Sequence, residues 1–251
     1  MPDARRVNIN GKTVWVPPLD LKDEELTYRQ EFLRRAIAYA SFNEISGDYA
    51  EFGCASARTF RMTYDLIRLK HLPMKLWAFD SFEGLPEHRD ERDNHPKWKA
   101  GVFPTSPELF AAICEDHGMK RDDFHMVEGF YENSLAPSKP EVAGYATDIA
   151  IANIDCDLHS STADVLAFLK PRLKTGMILY FDDYFCYTNG VLSGERVAFA
   201  EFQAENPDWH FEPYQPVNWH GMSFIAEMRP SASKKYGSPD TAPSKQSWFG
   251  R

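Results

Sequence analysis

Two carboxylate clusters stand where apolar runs stop. Asp155-Cys156-Asp157 follows Ile149-Ala150-Ile151-Ala152-Asn153-Ile154, and Asp182-Asp183 follows Met177-Ile178-Leu179-Tyr180-Phe181. Two such runs separated by one helix become neighbouring parallel strands, so both clusters emerge at the same C-terminal sheet edge. Capping of the next helix or turn explains one aspartate per strand end, and explains two at both ends poorly. Carboxylates crowded in this way repel one another, and a divalent cation relieves the repulsion. Oxygen-only donors point to magnesium, calcium or manganese rather than zinc. Such a cation lowers the pKa of a substrate hydroxyl while a neighbouring aspartate takes the proton. His159, just past Asp157, is an alternative base, and His220, before Gly221-Met222, is a weaker candidate for the same edge.

A second set of residues suggests what lies beside the carboxylates. The run Asp48-Tyr49-Ala50-Glu51-Phe52 ends at Gly53, where a glycine lets backbone approach a ligand closely. The run Lys75-Leu76-Trp77-Ala78-Phe79 ends at Asp80, spaced from Gly53 as nucleotide-binding folds space the carboxylate that meets ribose hydroxyls. Neither G-x-G-x-x-G nor G-x-x-x-x-G-K is present, which disfavours a pyrophosphate. A nucleoside cofactor without phosphates remains, and S-adenosylmethionine fits that description. Trp98, Phe103, Tyr184 and Tyr187 are candidates to line an acceptor pocket.

The elements that must position these residues alternate between strand-like and helix-like runs, the pattern of an α/β fold with a doubly wound, Rossmann-like, mostly parallel sheet. The reading gives an N-terminal accessory segment over 1–46, with a hairpin around Asn10-Gly11-Lys12 and an amphipathic helix from about Leu21 to Phe42. The core spans 47–229 and ends in two antiparallel strands, Trp209 to Pro213 and Met222 to Ala226. The Ser-, Pro-, Lys- and Gly-rich stretch 230–251 is expected to be a mobile tail. Residues 87–106 are too many for an ordinary turn and read as a lid, a binding loop or a solvated insertion.

A formal charge of -9 over 251 residues argues against nucleic acid as a partner. No apolar run is long enough to span a bilayer, so the expectation is a soluble, cytoplasmic protein without a membrane partner. Cys54, Cys114, Cys156 and Cys186 form no C-x-x-C pair and read as buried free thiols.

The chain resembles the macrocin O-methyltransferases, metal-dependent class I S-adenosylmethionine enzymes that methylate sugar hydroxyls in natural-product biosynthesis. The resemblance rests first on Phe79-Asp80-Ser81-Phe82-Glu83-Gly84-Leu85-Pro86. It rests next on Ile154-Asp155-Cys156-Asp157-Leu158 and Phe181-Asp182-Asp183-Tyr184, and more weakly on Gly129-Phe130-Tyr131 and Gly194-Glu195-Arg196. It implies a magnesium ion on Asp155, Asp182 and Asp183, with Asp157 or Asp155 deprotonating a small-molecule hydroxyl acceptor. For the methyl donor it implies a site around Glu51, Gly53, Cys54, Ala55, Thr59, Asp80, Ser81, Phe82, Gly129, Phe130 and Asp155. A homo-oligomer is a further implication. Ala57 departs from a second glycine in the first loop, and His159 from a tyrosine. Alternatives are a catechol or phenol O-methyltransferase with the same metal logic, a metal-dependent glycosyltransferase reading Asp155-Cys156-Asp157 as D-x-D, and a non-catalytic nucleoside-binding protein.

Overall fold

The structure, a computed structural model, describes residues 5–9, 11–20, 23–188 and 190–229. The expected tail over 230–251 lies outside the described residues. Seven strands form one sheet in the order β5-β4-β3-β6-β7-β9-β8, where β3 is Asp48–Phe52, β4 Leu76–Asp80, β5 Phe124–Glu128, β6 Ile149–Ile154, β7 Ile178–Phe181, β8 Trp209–Val217 and β9 Gly221–Met228. The pairs from β5 through β7 are parallel, whereas β9 is antiparallel to β7 and to β8. β6 is buried along its whole length. That is the consequence of helices on both faces, and it explains why Ile149 to Ile154 reads as continuous apolar sequence rather than as alternation.

Helices α1 (Glu24–Phe42), α2 (Arg58–Leu69) and α3 (Pro107–Asp116) cover one face, and α5 (His159–Leu169) and α6 (Gly194–Glu205) cover the other. A short α4 (Tyr131–Ser134) follows β5. The amphipathic helix expected near the N-terminus is α1. Its Phe32, Leu33, Ala36 and Ile37 belong to the same core as Tyr49 and Ile178, so a boundary at residue 46 cuts through one apolar cluster. Strands β1 (Arg5–Ile9) and β2 (Lys12–Val16) form the expected antiparallel hairpin, with Val7 opposite Val14.

The sheet order reverses between β3 and β6, which places a crevice outside their C-terminal ends. Because β9 runs back along β7 with Met222 opposite Phe181, the residue before β9 returns to that same edge. That residue is His220. The long segment 87–106 is pinned down: buried Asp93 accepts from the Ser160 amide at the start of α5 and from the Arg89 amide, both at 2.8 Å. Arg89 pairs with Asp164 at 2.6 Å, and Arg92 with Glu201 at 3.2 Å.

Candidate active site

A cavity of about 420 Å³ opens at the crevice. On its first side the chain leaves β3 through Gly53, at φ +88, and a Cβ there would lie 1.8 Å from the Asp155 carbonyl oxygen. Only glycine lets the β3 and β6 exits come this close. Ala57, ahead of α2, sits at φ 57, so the second position where the family favours glycine is also left-handed here. Asp80 ties this loop down. One of its carboxylate oxygens accepts from the amides of Cys54 (2.6 Å) and Ala55 (3.1 Å), and the other from Phe82 (2.7 Å). The stretch after Asp80 is a tight turn in which Ser81 Oγ donates to the Gly84 carbonyl at 2.7 Å. Gly84, at φ +94, is required because a Cβ would meet the Val102 carbonyl at 2.5 Å, where the 87–106 segment folds back.

The acidic cluster closes the second side. Asp182, Asp183 and His220 are all buried, and one ligand atom from each falls within 4.8 Å of the others. The Nδ1 of His220 lies 2.7 Å from the Asp182 carbonyl. A carbonyl only accepts, so Nδ1 is the donor in this contact. Tyr180 donates its hydroxyl to Asp182, and the Cys186 thiol donates to Asp183 at 2.9 Å. Glu195, fully buried at the start of α6, accepts from the Cys156 amide (3.0 Å) and the Asp183 amide (2.9 Å), joining the two strand ends. Its place depends on Gly194, where a Cβ would meet the His159 amide at 2.4 Å.

Burial first and neighbouring negative charge second push these carboxyls above the ordinary range: Asp155 beside Asp182, Asp157 beside Asp183, and Asp183 beside Asp182. Asp157 and Asp183 are neighbours, and the negative charge of Asp183 raises the Asp157 carboxyl further. The compensating charge is Arg29, from the first turns of α1. Its guanidinium pairs with Asp182, reaches Asp155 Oδ2 at 3.4 Å and donates to Thr59 Oγ1 at 2.9 Å.

Of the residues anticipated for the methyl donor, Glu51, Gly53, Cys54, Ala55, Thr59, Asp80, Ser81, Phe130 and Asp155 line the cavity. Phe82 turns into the core against Phe110, and Gly129 does not line the cavity. Asp155, Asp157, Asp182 and Asp183 converge as expected, but the compact triad contains His220 and leaves Asp155 on Arg29. His159 does not line the cavity. Its Nε2 is held at 2.8 Å by Glu201, because the first turn of α5 packs against α6. Trp98, Phe103 and Tyr187 line the mouth with Trp219, whereas Tyr184 packs on Phe181 and Phe224. Cys186, expected to be buried, is half-exposed on the cavity wall; all four thiols are free. Arg29 carried no local signal, since an arginine on an amphipathic helix reads as solvated surface.

Residues 27–224 match the macrocin-O-methyltransferase (TylF) family. The 8-demethyl-8-(2,3-dimethoxy-alpha-L-rhamnosyl)-tetracenomycin-C 4'-O-methyltransferase of Streptomyces olivaceus is 32% identical over 115 residues, covering 44% of this chain and 42% of that protein. The mycinamicin III 3''-O-methyltransferase of Micromonospora griseorubida is 26% identical over 167 residues, 61% of each chain. The matches thus span less than two thirds of these relatives. The crystal structure of CalS11, a calicheamicin methyltransferase, superposes with a TM-score of 0.67 at 20% identity over 82% of each chain, which shows a common fold.

Proposed function

Because the chain belongs to the macrocin-O-methyltransferase family, we propose that it transfers a methyl group from S-adenosylmethionine to a hydroxyl of a small molecule, a sugar moiety of a natural product, with magnesium at the acidic cluster. One observation carries this reading: a single cavity is walled on one side by the Gly53 loop, Asp80 and Phe130, and on the other by Asp155, Asp157, Asp182 and Asp183. The relatives named as a rhamnosyl-tetracenomycin 4'-O-methyltransferase and a mycinamicin III 3''-O-methyltransferase support the acceptor class.

The residues fit both groups. The buried oxygen donors of Asp182 and Asp183 suit a hard divalent cation, with Asp155 beside them and the His220 imidazole in the same compact group. Asp80, Ser81 and Phe130 would hold the methyl donor's nucleoside and Gly53 to Ala55 its amino-acid part, since all of them line the cavity. When bound, the two groups supply an electrophilic methyl on sulfur and a charge that acidifies a nearby hydroxyl. Within the chain, Asp157 takes the hydroxyl proton: its carboxyl lines the cavity beside Asp183, and burial raises its pKa, which makes it a stronger base than an exposed aspartate. Glu195 holds the two aspartate pairs at a fixed separation through the Cys156 and Asp183 amides. The ring of Trp98, Phe103, Tyr187 and Trp219 gives the acceptor flat apolar surfaces at the entrance.

The test is calorimetric binding of S-adenosylhomocysteine, followed by methyl transfer from labelled S-adenosylmethionine to a panel of glycosides and catechols, with and without chelator. Transfer to glycosides that chelator abolishes is expected. Failure to bind the cofactor product would refute the reading, and transfer confined to catechols would replace the acceptor class.

A further inference from the structure

Arg29 stands where the reading above puts a metal ion's charge. Its guanidinium arrives from α1, outside the sheet that supplies every acidic ligand, and is itself largely buried, with 11% of its side chain exposed. It takes Asp182 with one nitrogen and Asp155, at 3.4 Å, with the other, bridging the exits of β7 and β6. A planar guanidinium with several donors is suited to that bridging. Both Asp182 oxygens already accept, Oδ2 from Arg29 and Oδ1 from the Tyr180 hydroxyl, so a second positive charge on this carboxylate meets the guanidinium's own. A second carboxylate is within reach: Glu25, one helical turn earlier on α1, lies 3.1 Å from the same terminal nitrogen, lines the cavity and is 37% exposed. Arg29 therefore has an inner pair of partners at the acidic cluster and an outer one at the cavity wall.

We propose that Arg29 is the resting counter-ion of the acidic cluster and competes with the divalent cation for Asp155 and Asp182, with Glu25 receiving its guanidinium as the cation enters. The inference rests on the metal reading above. It makes α1 a participant in metal loading: the chain's own cation keeps the carboxylates compensated until a divalent ion displaces it. The measured metal affinity is then the intrinsic affinity reduced by the fraction of molecules in which Arg29 occupies the cluster.

The experiment is titration of Mn2+ into the metal-stripped full chain by calorimetry, without cofactor or acceptor. Arg29→Gln is expected to tighten Mn2+ binding at least about tenfold, with Arg29→Lys between it and the wild type. Glu25→Gln is expected to weaken binding a few-fold when Arg29 is present and to have no effect in the Arg29→Gln background, a coupling that simple loss of surface charge does not produce. If stripped Arg29→Gln fails to fold, Mn2+ should restore its melting transition, and a chain that stays unfolded at saturating Mn2+ overturns the proposal. Equal or weaker Mn2+ binding in Arg29→Gln overturns it while leaving the metal reading standing. Absence of Mn2+ heat in wild type and variants alike removes both.

Discussion

Asp157 holds a left-handed backbone at φ 61 in a nearly buried position, the kind of local strain that proteins retain at functional sites. If its carboxyl takes the acceptor proton, Asp157→Asn lowers kcat by about 10²–10⁴-fold and leaves S-adenosylhomocysteine affinity and the melting curve unchanged. A variant with wild-type kcat moves the base elsewhere. Glu51 gives a prediction of another kind. Burial pushes its carboxyl up to about 8, against the Tyr49 hydroxyl and Arg29, which pull it down. A folded-state value above the unfolded one means that the associated stability is present in full below about pH 4.5 and is lost progressively as the pH rises through about 8. Glu51→Gln cannot ionise. The stability of wild type relative to this variant should therefore fall between about pH 5 and about pH 8.5 in paired denaturant melts; a difference that stays constant contradicts the assignment.

At the scale of elements, the site depends on how closely β3 and β6 leave the sheet. Gly53→Ala places a methyl 1.8 Å from the Asp155 carbonyl at φ +88, so the variant is expected to lose about 3 kcal/mol or more by chemical denaturation. Unchanged stability would mean the two exits are further apart than described. The segment over 87–106 depends on one side chain in a comparable way. Asp93 caps the start of α5 and accepts from Arg89, so Asp93→Ala should cost about 2 kcal/mol and open the segment to limited proteolysis. Cleavage elsewhere first would show that other contacts hold it. The Ser81 to Gly84 turn belongs to the same argument, since its glycine exists to admit the returning Val102.

For the molecule as a whole, the helices on the two faces of one sheet make folding and cofactor binding a single balance. S-adenosylhomocysteine at a hundredfold excess over its Kd should add about 2.7 kcal/mol, a rise in melting temperature of roughly 5–10 °C for a domain of this size. A shift indistinguishable from zero would count against the cofactor. Among the described residues no helix is long and apolar enough to cross a membrane. The seven-stranded sheet was legible because strand and helix periods differ and alternate along the chain, and because strand ends carry abrupt changes from apolar to acidic residues. Asp155, Asp157, Asp182, Asp183, Gly53 and Asp80 were legible for the same reason: each sits at the end of a parallel strand, and parallel neighbours share one C-terminal edge. His220 was only half legible, because its arrival depends on β9 running antiparallel to β7 in a register that pairs Met222 with Phe181. His159 lay two residues from an aspartate and still turned away, since the first turn of α5 faces α6 and Glu201. Arg29 was not legible at all. Local sequence determines which residues end a strand and which face of a helix is apolar; which distant charge a buried carboxylate meets is decided when α1 docks against α2 and the sheet, a long-range packing event with no local signature.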